Sequence, residues 1–556
     1  MPFLSRDYGM NWDEWTKTNY GFIVLKYILS LGKDTSYQGL LNTYLYSAFF
    51  PVLTGFLNGA FFDPLHRFLG EGFFHSDHFF DFFQFSHLMN SFFGFYLFFL
   101  TGLCAKEIKG WRAGCLALIL MAVSPRIFGH AMNNHEDIPF AATYLLTAYL
   151  MIRFFKQMPQ PSWKITAALS TALGLTIGCR VGGVILIFHL LLFGIFFYFL
   201  RQRATPKESL PWTPWLCRLA IIALYGYLIG LFFWPYGQLN PFLNTLQVLH
   251  QLANFPDSSG ALLFHGNLVP LTALPWTYVP LWIFISTPCV VLAGGLLFCL
   301  FLPSIRRTPQ RKHLVLLAFI SLFPILFVIL KHSVLYNDWR HLYFTYAPLV
   351  VLAAVGWDSL FDFERLKKIR WGVGLGFLLL AIIPVSWMVR NHPYEALYFN
   401  ELEGGVKGAA GRYEMDYWGN TLRTAAEWLG DYHLRHYPDQ PAYVKAEGNI
   451  MTTYSVLREK LGSRYFPYLY PDQHLLSRRF RYMNLKYSTG PNAPDDWDYA
   501  ILRLHNQTLQ DLREGKWPPP NILFEVKVDG FPVCVVVKNQ NSPLFRAGTS
   551  PEQFRQ

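Results

Sequence analysis

Apolar and polar residues follow one another along this chain in long blocks rather than in the short periods of a soluble protein. A helix needs roughly 20 mostly apolar residues to cross a bilayer. Apolar stretches near this length, separated by polar connections, predict about ten spans. They lie at about 86–103, 113–128, 139–155, 165–178, 182–200, 218–234, 279–302, 314–331, 342–356 and 372–389.

The apolar run 165–200 contains no Asp or Glu and is too long for one span. As a single helix it would extend roughly 54 Å at 1.5 Å per residue. The sequence "GCRVGG" at 178–183 places three glycines near the middle of the run. We therefore predict two spans that meet at this point.

Lys and Arg collect in alternate connections between the predicted spans. The intervening connections carry almost none, and residues 235–275 carry none. The positive-inside rule places basic connections in the cytoplasm. We therefore predict that 235–275 faces outward, together with 129–138, 178–183, 332–341 and everything after 390. The basic connections are 104–112, 153–164, 201–218, 303–313 and 361–370.

The first 85 residues are predicted to lie outside as well, provided that none of them crosses the membrane. The stretch 35–62 is uncharged and apolar, but Pro51 and several Asn and Gly residues interrupt it. Pro and Gly weaken a helix interior. We therefore predict helices in the outer interface here, so that 1–85 forms an outer loop before a transmembrane domain at 86–389.

After residue 390 charged residues become frequent and apolar runs shorten. "TAAEWLGDYHLRHY" predicts a helix, whereas "AYVKAE" and "DYAILRL" predict strands. "ILFEVKVDGFPVCVVVK" predicts a hairpin that turns at Asp529-Gly530. The predicted fold is therefore a polytopic α-helical membrane protein with a C-terminal soluble α/β domain at 390–556, on the outer side.

Composition agrees with a membrane protein and argues against other classes. Only 15% of the residues are charged, whereas soluble proteins carry about 25%. The net charge of +11 comes without a clustered basic domain, so no nucleic-acid partner is predicted. The 7 cysteines show no Cys-x-x-Cys pair or Cys/His ligand spacing, so neither a disulfide framework nor a zinc site is predicted.

Charged side chains gather at the predicted outer ends of the spans, where basic residues are disfavoured. A charge near lipid is costly, so it usually faces a cavity or a partner. Carboxylates serve as general bases, and Arg binds phosphate through paired hydrogen bonds. We therefore predict an outer site that holds an anionic lipid headgroup and removes a proton. The acidic candidates are Asp13, Glu14, Glu136 and Asp137, and the basic candidates are Arg126, Arg180, Lys331, Arg340 and His341.

Each candidate also has a simpler interpretation. Asp137 precedes a predicted helix, where a negative charge is favourable. His135 and His341 match ordinary hydrogen-bonded interface histidines, and Trp12 and Trp15 match interfacial anchors. The convergence of four segments on one side favours a functional site. Carboxylates with His also suit a divalent ion, but because no ligand spacing here is specific, neither a metal nor a cofactor is predicted.

Six stretches, taken in order, match a pattern of a known group of membrane enzymes. They are "WDEW", "SPRIFGHAMNNHEDIPFA", "GLTIGCRVGG", "LPWTYVPLWIFISTP", "NDWRHLYFTYAPL" and "YEALYFNELEGGVKGAAGRYEMDYWGNTLRTAAEWL". In these stretches the chain resembles lipid-carrier-dependent glycosyltransferases of the GT-C fold, specifically the bacterial family 39 or protein-mannosyltransferase-like group. The resemblance extends from near residue 10 to 430, and 431–556 carries no motif of the group.

This resemblance implies a reaction at the outer face of a bacterial cytoplasmic membrane. A hexose or pentose moves from a polyprenyl-phosphate carrier to an acceptor hydroxyl in the cell envelope. The resemblance makes Asp13 the base that acts on the acceptor, with Glu14 beside it. It also implies that Glu136 or Asp137 supports the site.

The resemblance further assigns the carrier phosphate to basic residues near the outer face. The matching positions are Arg180, Arg340 and His341. A base and these cations are sufficient for the reaction because the phosphate is already a good leaving group. Such an attack inverts the anomeric configuration of the sugar. The group also has a span before the acidic loop, whereas only about ten residues precede that loop here.

Two other functions fit parts of the pattern. A transporter or lipid flippase is the main alternative, and it predicts inverted repeats and broken helices with charges near the midplane. No repeat is visible, and the charges lie at one face. A non-catalytic scaffold would leave the acidic first loop without a role. Neither the sugar nor the acceptor, whether lipid, glycan or protein, follows from the sequence.

Overall fold

A computed structural model of the protein describes most of the chain. Trp12 of the stretch "WDEW" lies outside the described residues. These are 2–11, 13–39, 45–62, 78–204, 211–253, 260–305, 310–446, 450–462, 465–469, 486–487, 497–504, 509–542 and 544–545.

Among the described residues, seven helices are long and apolar enough to cross a membrane, or nine if each of two bent helix pairs is one span. The prediction of a polytopic helical membrane protein is therefore confirmed. The predicted span 165–178 corresponds to the helix Trp163–Cys179, of 17 residues. The seven are Phe83–Lys109, Asp137–Lys156, Val181–Arg203, Trp212–Phe232, Arg311–Leu330, Arg340–Phe361 and Arg370–Asn391; the bent pairs are Trp111–Ala122 with Pro125–Asn133 and Tyr278–Ser286 with Cys289–Ile305.

Proline explains why two predicted spans are broken. The first pair bends by 71° and the second by 118°. Pro125 and Pro288 stand directly after the breaks, and the residue before a proline avoids helical backbone angles. Ser124 and Thr287 accordingly have extended backbones, with ψ of 90° and 131°. From the sequence we expected one helix in each of these places.

The predicted division of the run 165–200 is confirmed. The first helix ends at Cys179, Arg180 is extended, and a short turn leads into the helix Ile185–Ala204. A Cβ atom at Gly183 would lie 2.9 Å from the backbone carbonyl carbon of Thr176. Glycine is therefore needed for the chain to fold back here, and the break leaves the Arg180 side chain outside both helices.

Two membrane helices approach each other closely through facing glycines. A Cβ atom at Gly356 would lie 2.1 Å from the carbonyl oxygen of Gly294 and 2.4 Å from the backbone nitrogen of Phe298. Small residues of this kind let membrane helices pack backbone to backbone. The helices Cys289–Ile305 and Tyr346–Phe361 meet in this way.

Gly356→Ala is expected to destabilise the protein by about 1–3 kcal/mol, because the added methyl group must push two backbones apart. The melting temperature of the purified protein in detergent measures the effect. Gly295→Ala is the matched control, since no atom of the described residues lies within 4 Å of a Cβ atom there; it should leave the melting temperature unchanged or slightly higher. Equal melting temperatures for Gly356→Ala and the wild type would contradict this packing.

The strands are β1 Ala261–Phe264, β2 Asn267–Pro270, β3 Ala442–Ala446, β4 Tyr465–Leu469, β5 Lys486–Tyr487, β6 Tyr499–Arg503, β7 Ile522–Val528 and β8 Phe531–Lys538. The C-terminal part contains a six-stranded sheet with the order β5-β4-β3-β6-β8-β7. Strands β3 to β6 pair in parallel, and β8 runs antiparallel to β6 and β7. The predicted strands and the hairpin at Asp529-Gly530 are confirmed. A separate hairpin, β1-β2, was not predicted.

Shorter helices cover the sheet and begin the chain. The predicted C-terminal helix is confirmed as Asn420–His436, and Trp428 on it stacks on Phe524 of β7 with ring centroids 4.8 Å apart. Within 35–62, the helix Phe49–Leu57 has 9 residues, about 14 Å at 1.5 Å per residue, which is too short to cross a bilayer. The remaining helices are Glu14–Leu29, Pro235–Leu239, Pro241–Ala253, Gly405–Ala409, Ile450–Leu461 and Leu509–Arg513.

Residues 2–11 lie between a membrane helix and the C-terminal domain, held by side chains that donate to their backbone carbonyls. Asn133 Nδ2, at the end of a membrane helix, donates to the Gly9 carbonyl at 2.9 Å. Thr452 Oγ1 donates to the Met10 carbonyl at 2.7 Å. The membrane part and the C-terminal domain together therefore position Asp13 and Glu14, which follow this segment.

His392 links the same N-terminal segment to the chain beyond the last span. Its Nε2 lies 2.9 Å from Asp7 Oδ2, and its Nδ1 lies 2.7 Å from Glu395 Oε1. The hydrogen bond to Glu395, aided by Asp7, raises the pKa of His392 to about 9. Because the folded-state pKa exceeds the unfolded value of about 6.5, this stabilisation is full below pH 6.5 and is lost as the pH rises through 9.

His392→Gln is therefore expected to lower the melting temperature at pH 6 by an amount that corresponds to about 1 kcal/mol, as for a partly exposed ion pair. The difference from the wild type should shrink above pH 7 and vanish near pH 10. His436→Gln serves as the control, because the exposed His436 contacts no carboxylate among the described residues. An equal difference at pH 6 and pH 10 would disprove the ionic link.

Candidate active site at an apolar cavity

A cavity of about 490 Å³ has a wall that combines a cluster of charged side chains with a large apolar surface. Its volume is typical of small-molecule sites. The charged and aromatic polar lining residues are Asp13, Lys17, Glu136, Arg180, Arg340 and His341, with Tyr46, Tyr336 and Tyr417; the apolar ones include Leu45, Val181, Ile185, Leu249, Pro324, Phe327, Val328, Leu335, Leu342 and Phe344.

Asp13 stands directly before the helix Glu14–Leu29, and its carboxylate makes no capping hydrogen bond. The side chain is 27% exposed, and Oδ2 lies 3.5 Å from Arg340 Nη2. Burial raises the pKa of Asp13 above its usual value, and the positive charge of Arg340 opposes this rise. The carboxylate therefore faces the cavity and is not used to cap the helix.

Glu136 lies at the centre of three cations. Its carboxylate is 2.7 Å from Lys17 Nζ, 3.1 Å from Arg180 Nη2 and 3.8 Å from Arg340 Nη1. Burial alone would raise the pKa of Glu136, but Lys17 and Arg180 outweigh it and hold this pKa below the ordinary value. Glu136 therefore stays ionised and holds the cations in position.

Asp137 lies directly behind this cluster. It begins the helix Asp137–Lys156 and is 1% exposed. Arg180 Nη2 is 2.6 Å from Asp137 Oδ1, and Asn134 Nδ2 donates to Asp137 Oδ2 at 2.7 Å. Asp137 is not on the cavity wall, so it contributes to the site by orienting Arg180.

Arg340 is buried, with 3% of its side chain exposed. Its guanidinium lies among three aromatic rings, 4.9 Å from the centroid of Trp418, 5.2 Å from Tyr336 and 5.5 Å from Tyr417. Among the described residues, its Nε and Nη1 have no hydrogen-bond partner. Buried donors without a partner are costly, so an anion in the cavity would complete the environment of Arg340.

A buried hydrogen-bond network supports the site from behind. Arg126 Nη1 donates to Asp338 Oδ2 at 3.0 Å, and Tyr343 Oη donates to the same oxygen at 2.6 Å. Tyr343 Oη also lies 3.0 Å from His130 Nε2, and His130 Nδ1 lies 3.2 Å from Asn134. Arg126 therefore does not line the cavity. It belongs to the network that supports Asn134, which in turn binds Asp137.

The structure brings most predicted site residues together, but it places four elsewhere. Asp13, Glu136, Arg180, Arg340 and His341 share the cavity wall. The residues that lie away from it are Glu14, which faces His87 and His135, Arg126, which pairs with Asp338, Asp137, which contacts Arg180 from behind the cluster, and Lys331, which is exposed at the end of a span.

Four charged or aromatic polar residues of the wall were not predicted from the sequence: Lys17, Tyr46, Tyr336 and Tyr417. Lys17 follows Asp13 by four residues, which on a helix puts both side chains on one face; recognising the helix would have identified Lys17. Tyr336 and Tyr417 come from an irregular loop and from a turn before the C-terminal helix. No local pattern indicates that either faces a cavity.

The fold and the site define an integral membrane protein in which a carboxylate and a cluster of cations face an apolar cavity. Residues 75–227 match the family described as dolichyl-phosphate-mannose-protein mannosyltransferases. The match includes Glu136, Asp137 and Arg180, and for this part of the chain it confirms the resemblance predicted from the sequence. No curated protein sequence matches the chain.

Several solved structures resemble the chain at low sequence identity. ArnT from Cupriavidus metallidurans in the apo state has 13% identity and a TM-score of 0.46 over 95% of this chain and 93% of that chain. The same protein bound to undecaprenyl phosphate has 13% identity and a TM-score of 0.45, over 95% and 94%. The Archaeoglobus fulgidus oligosaccharyltransferase in the apo form has 11% identity and a TM-score of 0.42, over 92% and 67%.

Proposed function

We propose that the protein is an inverting glycosyltransferase, which moves a sugar from a polyprenyl-phosphate carrier to an acceptor hydroxyl at the outer face of a bacterial cytoplasmic membrane. The observation that carries this proposal is the pair formed by Arg340 and Asp13. A buried guanidinium with two unused donors lies 3.5 Å from a carboxylate that can accept a proton.

The cavity has the chemistry that a lipid phosphate requires. Arg180, Arg340 and Lys17 supply positive charge at its wall, and arginine binds phosphate oxygens through two parallel hydrogen bonds. The apolar part of the wall, which includes Ile185 and Phe327, suits a hydrocarbon chain. The match of residues 75–227 to a mannosyltransferase family supports a sugar as the group carried by that phosphate.

The reaction then needs one base and a set of cations. The Asp13 carboxylate takes the proton of the acceptor hydroxyl as its oxygen forms a bond to the anomeric carbon. The bond from that carbon to the phosphate oxygen breaks, and polyprenyl phosphate leaves with the electron pair. Arg180 and Arg340 stabilise the charge that develops on the phosphate. Attack from the side opposite the phosphate inverts the anomeric configuration.

The position of the site along the helices supports the outer face. The helix Asp137–Lys156 has 20 residues, which at 1.5 Å per residue separates its ends by about 30 Å, close to the thickness of the hydrocarbon core. Glu136 precedes one end, and at the other end Lys156 Nζ donates to Glu107 Oε1 at 2.8 Å. Because basic connections favour the cytoplasm, the carboxylate end is assigned to the outer side.

Binding of the carrier can be tested without knowledge of the acceptor. Undecaprenyl phosphate should raise the melting temperature of the purified protein, whereas undecaprenol, which has the same chain without phosphate, should have little effect. Equal stabilisation by the two lipids would show that the cations do not recognise phosphate, and it would contradict the proposal.

Transfer is tested with undecaprenyl-phosphate hexoses and pentoses labelled in the sugar, in the presence of envelope lipid, glycan and protein fractions. We expect the label to leave the lipid and free undecaprenyl phosphate to form in equal amount. The alternative of a flippase predicts that the intact sugar lipid crosses the bilayer of a proteoliposome with its sugar still attached. That outcome, without cleavage, would replace the proposal.

A further inference from the structure

A cluster of metal-binding side chains lies next to the candidate site but outside the cavity wall. Glu14 begins the first long helix, His87 lies on the helix His78–Lys109, and His135 precedes the acidic pair Glu136 and Asp137. All three cluster residues are buried, with exposures of 1%, 2% and 7%. They come from three separate segments, which is why no ligand spacing is visible in the sequence.

The distances within this cluster suit one small metal ion. His87 Nε2 lies 2.9 Å from Glu14 Oε1, and His135 Nε2 lies 3.4 Å from the same oxygen. One ligand atom from each residue lies within 4.8 Å of the others. Ligands at 2.0–2.1 Å in a tetrahedral arrangement around zinc are about 3.4 Å apart, and both distances from Glu14 Oε1 lie within about 0.5 Å of this value.

The chemistry of the donors selects the kind of ion. Two imidazoles and one carboxylate form a common protein ligand set for Zn²⁺. Ca²⁺ and Mg²⁺ prefer oxygen ligands. The backbone N–H of Asn11 donates to Glu14 Oε2 at 3.0 Å. Hydrogen bonds of this kind orient the ligand side chains in zinc sites.

Two further features of the cluster point to a missing ligand. Among the described residues, Glu14 Oε1, the oxygen that both histidines approach, is buried and accepts no hydrogen bond, and a buried acceptor without a partner is costly. A small cavity of about 30 Å³ adjoins the cluster, and its lining includes His135 and Ser86 together with Glu136 of the candidate site. It is large enough for a water molecule, and a water is a common fourth ligand when the protein supplies three.

We propose that Glu14, His87 and His135 bind one Zn²⁺ ion with a structural role. The ion would join the start of the helix Glu14–Leu29 to the connection that contains His135. Asp13 and Glu136 are the immediate neighbours of two of the ligands, so the ion would also set the distance between them. This site does not depend on the proposed sugar transfer, because none of its three ligands lines the cavity.

Metal analysis of the full-length protein, with any affinity tag removed, tests the site. After dialysis against EDTA and then against buffer, the protein is titrated with Zn²⁺ against a chromogenic chelator. We expect one zinc ion per chain and a higher melting temperature on zinc binding. His87→Gln and His135→Gln should each weaken zinc binding at least tenfold.

His189→Gln is the matched control. His189 is fully buried in the helix Ile185–Ala204, and among the described residues its ring nitrogens have no hydrogen-bond partner. This variant should retain one zinc ion with the affinity of the wild type. Less than one tenth of an equivalent of zinc in the wild type, or unchanged affinity in both cluster variants, would overturn the proposal.

If the cluster variants do not fold, X-ray absorption at the zinc edge of the wild type decides the question. The expected signal is two imidazole nitrogens and oxygen ligands at about 2.0–2.1 Å. A shell that contains sulfur, or one without imidazole scattering, would assign the zinc to other residues and would exclude this site.

Discussion

Asp13→Asn is expected to lower the rate of sugar transfer by about 10³-fold, the usual contribution of a positioned general base. Asparagine has the same shape but cannot take the proton of the acceptor hydroxyl. Because the Asp13 side chain makes no capping hydrogen bond to the helix that follows it, the substitution should leave the fold intact. The release of undecaprenyl phosphate from a labelled sugar donor measures the rate.

Two comparisons separate the loss of the base from a loss of binding or folding. The variant should keep the stabilisation by undecaprenyl phosphate, since the cations remain. Asp34→Asn, beyond the other end of the same helix, is the control, because the Asp34 carboxylate accepts a hydrogen bond from the nearby Ser36 backbone and does not line the candidate cavity. Transfer by Asp13→Asn within threefold of the wild type, at an equal melting temperature, would show that Asp13 is not the base.

Elements with a strong local pattern could be predicted from the sequence. The apolar runs predict the membrane helices, the glycines around Arg180 predict the break in the run 165–200, and Asp529-Gly530 predicts the last hairpin. Glu136, Arg180 and Arg340 could be grouped because each stands at the same end of a predicted span. These predictions depend on hydrophobicity and charge along the chain, which the sequence displays directly.

The direction of each side chain could not be predicted in the same way. Asp13 and Glu14 are neighbours at the start of a helix, where successive residues point about 100° apart. One therefore reaches the cavity, and the other reaches two histidines from distant segments. Arg126 and Arg340 likewise both lie near span ends, and only the position of Asp338, which pairs with Arg126, separates their roles.

Arg340 is expected to affect both donor binding and the pH dependence of transfer. Arg340→Met should raise the KM for the sugar donor about ten- to a hundredfold, because hydrogen bonds from a charged group to the phosphate are lost. Arg340→Lys should recover part of this loss, since it keeps the charge without the paired donors. Arg390→Met, an exposed arginine at the end of another span, should leave the KM unchanged.

The pH profile tests a role that a purely structural arginine would not have. Burial raises the pKa of Asp13, and the positive charge of Arg340 opposes that rise. Since a general base acts in its ionised form, kcat/KM rises with pH through the pKa of Asp13. In Arg340→Met this pKa is higher, so the rising part of the profile moves to higher pH, whereas in Arg340→Lys the shift is smaller. If the rising part of the kcat/KM profile lies at the same pH in the wild type, Arg340→Met and Arg340→Lys, while the KM of Arg340→Met is raised, then Arg340 binds the phosphate but does not act on Asp13.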